Sequence, residues 1–148
     1  MAVPPAFGVT SPAGWKSRVL EIHSAPQPTP PSGIAPNVVL TRETLPGGAP
    51  DQRPDQLMAY VRSQIRAMTP HLRDPLFDPP EKLILRDVPV IRVNVTWMSG
   101  ALRVRQWIVF YPLGNDHVLV ATATAADAEF RDHARSFAAL LGSVTLSA

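Results

Sequence analysis

From Val90 to Tyr111 apolar and polar residues alternate with a period of two. Ile91, Val93, Val95 and Trp97 alternate with Arg92, Asn94 and Thr96, which predicts a strand from Val90 to Met98 with one buried face. A tight turn at Ser99-Gly100 leads into a second predicted strand, Leu102 to Tyr111. There Leu102, Val104, Ile108 and Phe110 share one face, and Arg103, Arg105, Trp107 and Val109 the other. Gln106 interrupts the first of these rows. An amide in an apolar row is either satisfied by a neighbour or kept for something that docks.

The same alternation predicts strands around Leu20 and Ile22, over Val38–Glu43, Lys82–Arg86 and Val118–Thr124, with a turn at Asp87-Val88-Pro89. A half-buried strand is expected over Arg18–His23, and a short edge strand over Ala6–Thr10 before the Pro12-Ala13-Gly14 turn, with Trp15 as its anchor. Between the strands, Leu57, Val61, Ile65, Met68 and Leu72 recur at spacings of three and four, predicting a helix from Pro54 with one buried stripe. Gln64 falls inside that stripe. A second helix is expected over Ala125–Leu141, with Phe130, Ala134, Phe137, Ala138 and Leu141 inward, Thr124 and Asp127 as a capping box, and Gly142 as its stop. Prolines at 26, 28, 30, 31 and 36 predict an extended loop over 24–36, and Pro46-Gly47-Gly48 another loop. Hairpins without regular strand–helix–strand alternation predict an α+β fold: a twisted, mainly antiparallel sheet with helices packed on it.

Composition narrows the class. The 148 residues suit one domain, with a segment over 1–14 ahead of a core at 15–141. Hydrophobic residues make up 45% and charged residues 18%, which places the chain among folded proteins. The net charge of +2 is too even for a nucleic-acid binder. The absence of cysteine excludes disulfides, thiolate metal sites and thiol nucleophiles. No signal peptide is visible after Met1, and no apolar run approaches the ~20 residues that span a bilayer, so a cytoplasmic protein that is not membrane-inserted is expected.

Candidate chemistry is sparse. His23, His71, His117 and His133 have no metal-ligand spacing, and the glycines form neither a dinucleotide fingerprint nor a phosphate loop, so no cofactor is expected. Asp116-His117 and Asp132-His133 read as solvated pairs, without an activated serine nearby. Arg103 and Arg105 share a strand face and could hold an anion, although salt bridges are the commoner fate of such a pair. Trp97 and Trp107 are expected in the core. No catalytic residue is assigned. The two glutamines remain: if the helix lies over that strand face, Gln64 and Gln106 pair with each other; if the faces line a groove, they become polar points on an apolar floor.

Several of these segments together resemble a known family. Pro12-Ala13-Gly14-Trp15, the strand around Leu20 and Ile22, Val38-Val39-Leu40-Thr41-Arg42, the helix with Tyr60-Val61 and Gln64-Ile65, and the hairpin Trp97…Gly100…Arg105-Gln106 are similar to the DcrB-like family of the PsbP-like fold. Within it they most resemble Eag-type chaperones of type VI secretion effectors. The resemblance implies a non-enzymatic, homodimeric adaptor that shields the N-terminal transmembrane helices of an effector in an apolar cradle. Carried over by position, the cradle comprises Leu20, Ile22, Val39, Met68, Leu72 and Leu102, with Gln64 and Gln106 as hydrogen-bonding points. The chain departs from the pattern in its proline-rich loop, its longer lead into the first helix and its bulky Met68. The rival expectations are a small-ligand or enzymatic pocket on the sheet, and a PsbP-like structural subunit.

Overall fold

A computed structural model describes residues 20–25, 30–44, 54–113 and 117–146. Within them the period-two segments form β1 (Leu20–Ser24), β2 (Asn37–Thr44), β3 (Leu76–Phe77), β4 (Glu81–Leu85), β5 (Val88–Ser99), β6 (Leu102–Leu113) and β7 (His117–Ala126). The segments with a helical stripe form α1 (Pro54–Met68) and α2 (Asp127–Gly142). The described strands pair antiparallel in the order β1-β2-β7-β6-β5-β3, with β4 also on β5. The architecture is α+β, one twisted sheet with a helix on each face.

Alternation along the strands divides the core in two. On one face Val90, Val109, Tyr111, Ala121, Ala123 and Ala125 pack against Phe130, Phe137 and Leu141 of α2. The alanines of β7 let α2 approach closely, and Phe130 meets Trp107 and Phe137 at ring separations of 4.8 and 5.1 Å. On the other face Ile91, Val93, Val95, Ile108 and Phe110 pack against Leu57, Tyr60 and Val61 of α1. Each large side chain fully buried this way contributes about 1.5–3 kcal/mol. The partly exposed Arg105–Asp127 ion pair, at 2.7 Å, contributes less than about 1 kcal/mol and serves to orient its members.

Several boundaries differ from the sequence expectations. The β5–β6 turn is Gly100-Ala101, because Ser99 pairs with Leu102; Gly100 has φ 61°, the left-handed conformation that glycine adopts without strain. The turn after β4 is Arg86-Asp87 (φ 50° and 65°), and Val88 and Pro89 already belong to β5. Two consecutive left-handed residues between antiparallel strands make a mirror-image hairpin turn, here without the usual glycine. The connection expected after the first helix contains β3. Its register and that of β4 on β5 differ by one residue, so 78–80 form a bulge in an interrupted edge strand. Pro79 and Pro80 offer no N–H there, which blunts the edge.

The capping box does not form. The N-cap of α2 is Ala126, Thr124 lies within β7, and the Asp127 carboxylate accepts from Arg105. The helix gives up a side-chain cap because strand pairing continues to Ala126. β1 is exposed from Glu21 to Ser24 rather than half-buried. The proline-rich loop is tethered: Ala25 N–H donates to the Pro36 carbonyl, and Ser32 donates through N–H and Oγ to the Glu129 carboxylate of α2. The Ala6–Thr10 strand, Trp15, Arg18, Val19, the loop at Pro46-Gly47-Gly48 and Asp116 lie outside the described residues.

Candidate functional site

Cross-strand register assembles the site. Residues directly opposite each other share a sheet face. Ile22, Val39, Thr122 and Ile108 therefore form one row across β1, β2, β7 and β6. Ser24, Asn37, Thr124 and Gln106 form the next, and the Leu20, Thr41, Val120 and Phe110 positions the row on the other side. Ile108 and Phe110 belong to the cluster under α1, so all three rows lie on the α1 side of the sheet.

α1 rests on β5 and β6, with the Tyr60 ring edge-on to Phe110 at 6.1 Å. No described helix stands over β7, β2 and β1 on this side. Those three strands span two strand spacings, about 10 Å, close to the width of one helix. β1 limits the floor shared by all three strands to its five residues, about 16 Å, and at one end of β7 Val118 is already closed into the cluster under α1. Ile22, on the floor of this trough, is 57% exposed. α1 forms one wall. Gln64 lies one turn beyond Tyr60 on the flank that faces β6, half-buried, and among the described residues no partner meets its amide.

The eight predicted residues thus belong to one side of the sheet without meeting at a point: Leu20, Ile22 and Val39 take register positions on the floor, Gln106 lies on the adjoining β6, Gln64 on the α1 wall, and Met68, Leu72 and Leu102 toward the end of α1 and the β5–β6 turn, outside the trough. Leu20 occupies the register position opposite Thr41. Met68 packs at the end of α1, and Leu72 follows the short 3-10 turn Thr69–His71; both join the α1-side cluster. Leu72 is therefore not part of the helix that was expected to carry it. Leu102 sits beside the β5–β6 turn, six residues and about 20 Å along β6 from Ile108.

Gln106 does not pair with Gln64. Its Oε1 accepts from Trp97 Nε1 at 2.9 Å, and its Nε2 donates to Thr124 Oγ1 at 3.1 Å. From sequence Trp97 was expected in the core and Thr124 in a capping box, and neither was placed beside Gln106. The hairpin register was the available signal, since it puts Val95 opposite Gln106 and brings Trp97, two residues on, within diagonal reach.

The opposite face carries the ionic contacts. Arg105 donates to Asp127 and to Asn94, Arg103 to Thr96 Oγ1 and the Asp74 carbonyl, and Arg92 to Glu81 while lying 4.9 Å above the Trp107 ring. Of the arginine pair, Arg105 is in the expected salt bridge, with Asp127, whereas Arg103 is held by a hydroxyl and a backbone carbonyl. Cavities of about 420 and 430 Å³ flank α2; Glu21 and His23 line the first, and His23 and His133 the second. A more apolar one of about 350 Å³ lies between Leu57, Ile84 and Pro112, with Ile84 74% exposed. Among the described residues no group of three His, Asp or Glu is placed to hold a metal. No described helix is long and apolar enough to cross a membrane. Burial pushes the Tyr111 hydroxyl up to about 12. That group is closed into the α2-side core by its bond to the Leu141 carbonyl, far from catalytic use.

Comparison with known proteins follows the same fold. The sequence profile of the DcrB family matches residues 8–143. A Pseudomonas aeruginosa protein of unknown function, PA94, has a similar structure: TM-score 0.74, 17% identity, 93% of this chain and 89% of that one covered. LpqN, involved in cell envelope biogenesis of Mycobacterium tuberculosis, aligns with a TM-score of 0.49 and 16% identity over 78% of this chain and 76% of its own. No curated protein matches the chain.

Proposed function

The chain belongs to the DcrB family, and from that premise we propose that it is a non-enzymatic chaperone or adaptor that shields an apolar helix of an exported effector on the α1 side of its sheet. The observation that carries this reading is the trough beside α1, about one helix wide, with Ile22 exposed on its floor. A helix built to cross a membrane exposes apolar surface in water and aggregates unless covered. Lying in an apolar groove removes that surface from water without inserting the carrier into a lipid phase. The mixed floor suits a helix that also carries polar groups, which are costly to bury unpaired. A carrier of this kind acts before export, in the cytoplasm, and needs no cofactor.

The reading also makes the protein a homodimer. A two-fold contact would set two troughs side by side and cover a longer client. Light scattering at micromolar concentration should give twice the chain mass; monomer alone would contradict that part.

Co-expression with an effector bearing N-terminal transmembrane helices, followed by pull-down, tests the function. The unaltered protein should retain the effector in soluble form. Ile22→Asp should lose it, while its melting temperature stays within a few degrees because an exposed substitution costs about 0.5 kcal/mol or less. An Ile22→Asp variant that melts normally and still holds the effector contradicts the trough assignment.

A further inference from the structure

We propose that the cavity between β4, β5 and the start of α1 binds a small aliphatic carboxylate, with its hydrocarbon chain inside and its head group on Lys82. The cavity lies toward the β4 edge of the sheet, whereas the trough lies toward the β1 edge, so this site stands independently of the helix-shielding reading.

Register builds the cavity. Lys82 is opposite Ile91 and Ile84 opposite Pro89, so these two side chains of β4 share the face on which Ile91 packs under α1. Pro112 continues the same face of β6, two residues beyond Phe110. Leu57, in the first turn of α1, closes one side. Together they enclose about 350 Å³. That is within the range of small-molecule sites.

The lining says what fits. Proline has no N–H to offer, and the leucine and isoleucine side chains neither donate nor accept. Such walls give nothing in return for desolvating a sugar, a base or a peptide amide. They suit hydrocarbon, and a bound chain would also cover Ile84, which is 74% exposed in the free protein. Lys82 is the exception, a cation with three donors at the rim. Among the described residues no carboxylate pairs with it, because its neighbour Glu81 lies on the opposite face and is committed to Arg92 at 2.6 Å. An apolar chamber with one uncommitted cation at its rim matches an aliphatic chain that ends in one negative charge. At roughly 30 Å³ for each methylene, about the share of a water molecule in the liquid, the chamber has room for about ten carbons.

Calorimetric titration tests the site with sodium hexanoate, octanoate and decanoate, each below its micelle concentration. Affinity should rise on the order of tenfold with each pair of methylenes, and tetradecanoate should add nothing further because its chain outgrows the cavity. Lys82→Gln should weaken decanoate about fivefold, since an ion pair at an exposed rim is largely screened, and should leave 1-decanol binding unchanged. Ile84→Asp should abolish decanoate binding with the melting temperature within a few degrees of the unaltered protein, because the side chain is exposed. Ile22→Asp, in the trough, should bind decanoate as the unaltered protein does. No uptake of decanoate by the unaltered protein overturns the proposal. Loss of binding in Ile22→Asp with retention in Ile84→Asp overturns it too, by moving the chain to the trough. Equal decanoate affinity with and without Lys82 contradicts the carboxylate assignment. A protein that takes up no decanoate but whose dimer is split by Ile84→Asp would show a second copy on this edge, and the site would fall.

Discussion

Ile22 and Tyr111 show how differently two side chains on one sheet can be used. Tyr111 is 2% exposed, and its hydroxyl donates to the Leu141 carbonyl at 2.7 Å, tying the end of α2 to β6. Its raised pKa has a definite sign in stability. The unfolded chain releases this proton near pH 10, the folded one at about 12. Above about pH 10 the unfolded state therefore binds fewer protons than the folded state. The contribution is complete below pH 10 and lost as pH climbs to 12. Tyr111→Phe should cost about 1–2 kcal/mol at neutral pH, by orphaning a buried carbonyl, and should flatten the decline between pH 10 and 12. Urea titrations of both proteins across that range check it; identical alkaline limbs would show that Tyr111 does not set the decline.

The two glutamines, alike in sequence, separate in the structure. Gln106→Leu removes the acceptor of Trp97 Nε1 and the donor to Thr124, so it should destabilise by about 1–2 kcal/mol. Gln64→Leu removes no bond among the described residues and adds apolar surface on the α1 flank, so it should be neutral or stabilising. Paired chemical melts measure the contrast, and equal losses in the two variants would mean that Gln64 has a partner of its own. Gln106 could be flagged from its sequence row. Its satisfaction could not, because that depends on a diagonal contact across β5 and β6 and on the third strand, β7.

At the level of elements, what strong periodicity specifies was legible. Both faces of the β5–β6 hairpin and most of the inward stripes of α1 and α2 follow from spacing alone, since burying the wrong face would expose several large side chains at once; Ala138, expected inward, is exposed, because Phe130, Phe137 and Leu141 carry the contact of α2 with the sheet. Short or strained features were not. β3 has two residues and exists because β5 offers a free edge beside it. The Arg86-Asp87 turn puts two non-glycine residues at positive φ, a conformation that aspartate tolerates but arginine does not signal. That turn carries its own prediction. Replacing Arg86-Asp87 with Asn-Gly matches residues to the turn and should raise stability by about 1 kcal/mol, read as a higher melting temperature. A lower one would mean that these side chains make contacts outweighing the backbone strain.

For the whole molecule, the asymmetry between the faces matters most. α2 sits over the small residues of β7 on one side, whereas α1 sits over β5 and β6 on the other. The offset leaves β7, β2 and β1 as a floor beside α1. The sequence identified residues of that floor through a family resemblance and through Gln106. Its width and length came only from register and helix placement, which no single segment encodes. The most direct test of this account is position-specific photocrosslinking. Benzoylphenylalanine replaces Ile22 in the trough, or Asp132 on the exposed surface of α2, and the protein is co-expressed with an effector bearing N-terminal transmembrane helices. The account predicts a crosslink from position 22 to an effector helix and none from position 132. An effector that co-purifies yet crosslinks from position 132 and not from position 22 would contradict it.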